Sequence, residues 1–299
     1  MLVGTRLPAL PPGLDPTLFP DLASHTDNER DWAGLSVLYP GRVLHPPEVP
    51  RVPDPANAGR PPFLSDKSLP HGCTYLRVYD LSAALPKLTE QLEHPRPGLI
   101  VDLRYVVADA AAAEKLADLL ARYGYASAPV QALGSLPAPA RLPDASHLAT
   151  APIFVLVNGG TAGPLEAWLS AFQAKGSVLA VGTPTAGQPG TYAPAEGAPA
   201  YYVMTGELQP ATGSLAGAGL QPRFAVTVTA EQNYRAYMEF ERDPDPTLLL
   251  RGEPGAPAAS GPTSSDNGNL TVTPPSSVST VGGEAAVDPV LQRAVDVVA

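Results

Sequence analysis

The chain has 299 residues, 44% of them hydrophobic and 16% charged, which is enough to bury a sizeable core and excludes a chain disordered throughout. Its 37 prolines and 27 glycines interrupt regular structure too often for a helical bundle. A formal charge of −10 opposes adsorption to phosphate backbones or anionic lipid, so nucleic acid is not an expected partner.

Fourteen prolines fall in residues 1–70, and few runs there show a period of 2 or 3.6, so residues 1–71 are expected to form a mostly extended N-terminal segment. Its one apolar cluster, Trp32, Leu35, Val37, Leu38 and Tyr39, is expected to lie against a neighbouring domain. The N-terminal residues lack an apolar run long enough for a secretory signal, and no stretch approaches the ~20 apolar residues that span a bilayer.

From Thr74 to about Glu241 short apolar runs alternate with helical ones, the pattern of a mixed α/β domain. Strands are predicted at Thr74 to Tyr79, Leu99 to Leu103, Ile153 to Val157, Val178 to Val181, Tyr201 to Met204 and Phe224 to Val228. Pro86 at a first helical position predicts a short helix with Leu88 and Leu92 on one face. Asp109 caps a second helix with Leu116, Leu119 and Leu120 buried and Gly124 as its stop. Pro164 opens a third, with Leu165, Trp168, Leu169 and Phe172 on one face and Gly176 as its end.

Thr229 caps a helix carrying Tyr234, Tyr237 and Met238. Residues 251–287 have no aromatic residue and are dominated by small and turn-forming types, so a flexible loop is expected there. Asp288 followed by proline then starts a short amphipathic helix over 288–299 that docks back on the core.

The residues that bear chemistry are sparse. The five histidines, at 25, 45, 71, 94 and 147, have no metal-ligand spacing, and Cys73 is the only cysteine, so no metal and no cofactor is implied. Asp266 to Asn269 lacks the closing glutamate of a calcium loop, and Asn269-Leu270-Thr271 is a formal glycosylation sequon. No GxGxxG, Walker loop or GxSxG elbow is present.

What remains is the run from Pro152 to Gly190, PIFVLVNGGTAGPLEAWLSAFQAKGSVLAVGTPTAGQPG. VLVN at 155–158, Thr161-Ala162, Glu166, the Gly176 stop, Val181-Gly182, Thr185 and Gly187 follow each other as in the C-terminal processing, or tail-specific, serine protease family, which this chain resembles. YLRVYDL at 75–81 and LIVDLR at 99–104 are similar to the two strand elements before that core, and residues 216–222 and 288–295 to its later turn and terminal helix. The resemblance covers about 72–250 plus 288–299. It implies an α/β domain of the Clp protease/crotonase-like (ββα) type, serine-type proteolysis of unstructured protein tails, and an extracytoplasmic location. The peptide-binding PDZ domain common in the family has no counterpart in the proline-rich residues 1–70.

The family's nucleophilic serine corresponds to Gly163, its general-base lysine to Gln188, and the glutamine supporting that lysine to Tyr192. Glycine has no oxygen to attack a carbonyl, and a neutral amide is no base near pH 7. Where the family has an asparagine and paired glycines whose backbone helps to hold the oxyanion, this chain continues Tyr105-Val106-Val107-Ala108-Asp109. The expectation is a pseudoprotease that binds an unstructured peptide or protein segment, or acts as a scaffold, through a groove at Asn158, Gly159, Gly160, Thr161, Ala162, Gly163 and Thr185. The alternative is an active serine-type hydrolase with Thr161 as a non-standard nucleophile; a turn residue whose hydroxyl satisfies a backbone group is the bland account of the same side chain. Lys175 is expected to face solvent near a helix end, Glu166 to complement the positive end of its helix, and Asp102 and Arg104 to form a strand-end ion pair or to be solvated.

Overall fold

A computed structural model describes residues 14–20, 22, 31–49, 63–94, 98–142, 149, 151–242, 245–250 and 287–298. In chain order the elements are α1 (Trp32–Leu38), β1 (Val43–Leu44), β2 (Phe63–Ser68), β3 (Cys73–Val78), α2 (Leu81–Glu93), β4 (Gly98–Asp102), α3 (Ala110–Arg122), β5 (Val130–Gly134), β6 (Ile153–Val157), α4 (Leu165–Gln173), β7 (Val178–Gly182), β8 (Gly190–Ala195), β9 (Ala198–Pro210), β10 (Phe224–Ala225), α5 (Ala230–Arg242) and α6 (Pro289–Val298). The architecture is mixed α/β. The loop expected at 251–287, apart from Val287, and the sequon at Asn269 lie outside the described residues.

One sheet has six strands in the order β10-β7-β6-β4-β3-β2, all neighbours parallel except β2, which runs antiparallel to β3. Its central strands β6 and β7 are apolar because both faces are covered. Alternate residues divide between two clusters. Leu76, Val101, Val155 and Val178 face Leu88, Leu116 and Trp168 of α2, α3 and α4, while Tyr75, Ile100, Phe154 and Val181 face Phe240 of α5 and Leu291 and Val295 of α6.

The second sheet is antiparallel and built on the long β9, with β5 and β1 along one edge and β8 along the other. Around it Leu18, Phe19, Leu35, Tyr39 and Val43 pack with Val203 and Met204. The residues expected to form a mostly extended segment thus supply a helix, a strand of the second sheet and, through β2, an edge of the first. Of the cluster predicted around Trp32, Leu35 and Tyr39 are buried, whereas Val37 is 79% exposed.

Four further elements differ from their sequence reading. Helix α2 begins at Leu81 because the Asp80 carboxylate accepts from the Ala83 N–H at 3.1 Å, which leaves Pro86 inside the helix and not at its start. The strand predicted to Val228 pairs only over Phe224 and Ala225, since its partner β7 ends at Gly182. Strands β5 and β8, rich in glycine, alanine and proline, carry no strand signal of their own and form by pairing with β9.

Candidate functional site

Strand β6 ends in the turn Asn158 to Gly163, which is tied down at almost every polar atom. Asn158 Oδ1 accepts from the N–H groups of Tyr105 at 3.1 Å and Gly160 at 3.0 Å. Thr161 Oγ1 donates to the Leu103 carbonyl at 2.9 Å and accepts from the Asn158 N–H at 3.2 Å. Ala162 forms a parallel bridge with Val107, donating to the Val106 carbonyl at 3.1 Å and accepting from the Ala108 N–H at 3.3 Å.

Gly163 follows with φ +90°, in the left-handed region that suits glycine, and its N–H donates to the Gln188 carbonyl at 3.0 Å. A Cβ on Gly163 would lie 2.3 Å from the Ala108 carbonyl oxygen. The packing of the backbone beside it therefore excludes a side chain at this position. The residue after it is Pro164, which has no N–H, so the start of this turn offers no backbone donor at that position. The sequence carried this signal, although Pro164 reads first as a helix start.

Glu166, in the first turn of α4, is fully buried and reaches forward to the segment after β7. Its Oε2 accepts from Thr185 Oγ1 and from the Gly187 N–H at 2.9 Å, and its Oε1 accepts from the Gln188 N–H at 2.8 Å. Thr185 Oγ1 in turn accepts from the Leu220 N–H at 2.7 Å. Burial pushes the Glu166 carboxyl up to about 7, and the hydrogen bonds from Thr185, Gln188 and Gly187 only partly offset that rise. The carboxylate expected to complement its own helix is instead the hub of the turn that presents Gln188.

Gln188 and Tyr192 both face the N-terminal segment. Gln188 Nε2 donates to the Glu48 carbonyl at 2.9 Å, and the Tyr192 hydroxyl donates to the Gly41 carbonyl at 2.6 Å. Burial pushes the Tyr192 phenol up, and the nearby carboxyl groups of Glu166 and Glu207 push it further. Gly41, at φ +76°, fits so closely that a Cβ would stand 2.3 Å from both the Gly187 oxygen and the Gly217 nitrogen. Beside it Arg42 pairs with the buried Glu207 at 2.9 Å, and Ser214 Oγ donates to the same carboxylate at 2.5 Å. Residues 41–48 therefore form a strap across Gln188 and Tyr192. Nothing in their sequence announced this contact, whose partners lie about 150 positions away.

The seven residues expected to line a groove come together, but Asn158, Thr161, Ala162, Gly163 and Thr185 are buried, leaving Gly159 and Gly160 to present surface. Lys175 is exposed just beyond the end of α4. Asp102 and Arg104 are buried, not solvated. Asp102 accepts from Arg104 Nη2 at 2.6 Å and from the Tyr75 hydroxyl at 2.7 Å, while Arg104 also meets Asp288 at 2.8 Å and Asn233 at 3.0 Å. Burial pushes the Asp102 carboxyl up, but Arg104 and Arg77 together hold it down at about 2. This cluster pins α5 and α6 to the first sheet. Among the described residues no group of three His, Cys, Asp or Glu is placed to hold a metal ion. No helix there is long and apolar enough to cross a membrane.

No family model matches the chain, and no curated protein matches it. Partial likenesses to solved structures exist. A photosystem II D1 C-terminal processing protease is 21% identical at a TM-score of 0.42 over 56% of this chain and 48% of its own. A lipoprotein from Streptococcus agalactiae is 16% identical at 0.42 over 58% and 68%. Mature CPAF is 12% identical at 0.43 over 62% and 53%. The chain spans about half the length of the first of these, and likenesses of this size leave its family unassigned.

Proposed function

We propose that the chain is a tail-specific-protease-like module of the Clp protease/crotonase-like (ββα) type that does not hydrolyse peptides and serves as a binding or scaffold module for an unstructured peptide or protein segment. In this reading residues 72–250 with the helix at 288–299 form the protease-like core. Residues 1–71 are its N-terminal extension, 251–287 connect core and final helix, and the extracytoplasmic location expected of the family carries over. The order of motifs from Val155 to Gly187 supports the kinship.

The observation that carries the loss of hydrolysis is the contact at Gly163. A side chain there meets the Ala108 carbonyl at 2.3 Å, and Pro164 supplies no amide to an oxyanion. Thr161 does not substitute, because its hydroxyl already donates to Leu103 and accepts from Asn158, with no basic side chain among its hydrogen-bond partners.

The test incubates the purified chain with a serine-directed fluorophosphonate probe and, separately, with a fluorescent unstructured protein whose new termini are read by mass spectrometry. Neither labelling nor cleavage is expected from the parent or from Gly163→Ser with Gln188→Lys. Gly163→Ser alone is expected to lower stability by about 2 kcal/mol or more, because it combines positive φ with the clash. Anisotropy of the intact fluorescent protein reads binding. Labelling abolished by denaturation, or cleavage abolished by Thr161→Ala, would overturn the reading.

A further inference from the structure

A groove of about 510 Å³ opens at the C-terminal end of α4, where that helix meets β7, the turn after β9 and the segment leading to β10. We propose that it binds a small carboxylate. Three features of its walls support this, and none belongs to the surroundings of Gly163.

The first is Ser170, which lines the groove and is only 7% exposed. Mid-helix serines commonly satisfy themselves on the carbonyl four residues back. Ser170 instead has a single 3.5 Å contact to Thr212 Oγ1, well beyond the usual 2.5–3.0 Å for one hydroxyl meeting another oxygen. A buried hydroxyl and an exposed one therefore stand side by side at the groove with donating capacity to spare.

The second is Arg223. Its backbone N–H donates to Gln173 Oε1 at 3.2 Å, an oxygen that also accepts from Ala180 at 3.1 Å, while Gln173 Nε2 donates to the Gln221 carbonyl at 2.9 Å. Gln173 is thus spent on holding the segment in place, and the Arg223 side chain lines the groove from that fixed base. Among the described residues no carboxylate pairs with it, in a chain holding 29 acidic side chains against 19 Lys and Arg. Lys175, which is exposed, lies between the lining residues Ala174 and Gly176 in the chain.

The third is the apolar part of the wall, formed by Leu179 and Ala174. A planar guanidinium offers a carboxylate two parallel N–H donors, the two hydroxyls add donors to the same groove, and a short aliphatic chain would cover Leu179. The volume lies within the range of small-molecule sites and exceeds what acetate alone fills. The same chemistry would come from a free aliphatic acid or from the carboxylate of a peptide.

Calorimetric titration of the full chain with hexanoate and with hexanamide tests the assignment, alongside a short leucine-ending peptide with a free or an amidated terminus. Saturable binding of hexanoate, of the free peptide or of both is expected, with the matching amide at least tenfold weaker; the stronger of the two acids identifies the source. Arg223→Gln, an exposed change that leaves the fold intact, is expected to weaken that binding at least tenfold, and Thr212→Val several-fold. Absence of saturable binding by both acids, or binding that Arg223→Gln leaves unchanged, would overturn the proposal.

Discussion

Glu166 links burial to proton binding. Its carboxyl titrates at about 7 in the folded chain against an ordinary 4.5, so between these values the native state holds a proton that the unfolded chain has released. The stability this provides is fully present below pH 4.5 and is lost as pH rises through 7, with an upper size of roughly 3 kcal/mol. Asp102 acts in the opposite sense at lower pH, since its carboxyl is held at about 2 against 3.8 and its contribution is lost as pH falls through 2. Glu166→Gln removes only the first of these slopes. Urea unfolding of parent and variant from pH 4.5 to 8 should show the parent losing ground to the variant as pH rises, by about 2–3 kcal/mol in total. A difference that stays constant over that range would mean Glu166 does not change its protonation there. None of this was legible in the sequence, where a glutamate one turn into a helix has a sufficient local explanation; Thr185, Gly187 and Gln188 reach it only because β6 and β7 are neighbours.

At the scale of elements, α6 is held by two different interactions of one residue. Asp288 Oδ1 caps the helix, accepting from the N–H groups of Val290 at 3.0 Å and Leu291 at 3.1 Å, while Oδ2 pairs with Arg104 at 2.8 Å. The first role was readable from an aspartate followed by proline and an apolar stripe. The second was not, because its partner lies 184 positions earlier. Asp288→Ala is expected to cost about 3–5 kcal/mol, since it leaves the buried guanidinium of Arg104 short of a counter-charge as well as uncapping the helix. Asp288→Asn keeps a capping oxygen and should still lose most of that amount if the charge dominates. Hydrogen exchange of the α6 amides, read with the urea midpoint, separates the two. Equal midpoints for the parent and Asp288→Asn would assign the effect to the cap.

At the scale of the molecule, the two sheets differ in how openly the sequence declares them. IFVLV at 153–157 and LIV at 99–101 are apolar because helices cover both faces of their sheet, and such runs are recognisable without knowing their neighbours. The second sheet depends on partners distant in sequence, and its β1 comes from a segment whose prolines suggested a mostly extended chain. Leu18, Phe19 and Leu35 are buried against it, and Arg42 neutralises Glu207 within it. Beginning the chain at residue 50 would therefore uncover Val203 and Met204 and leave Glu207 without its cation. Burial of the three apolar side chains alone contributes roughly 5 kcal/mol, and stranding a buried carboxylate adds a few more, a large share of the 5–15 kcal/mol that folded domains possess. The shortened chain is expected to bind a hydrophobic dye and to unfold in two steps, with exchange protection lost first in β8 and β9 and kept in β4 and β6. A single transition at the parent's midpoint would show residues 1–49 to be an appendage, and the strap over Gln188 and Tyr192 to contribute nothing to the fold.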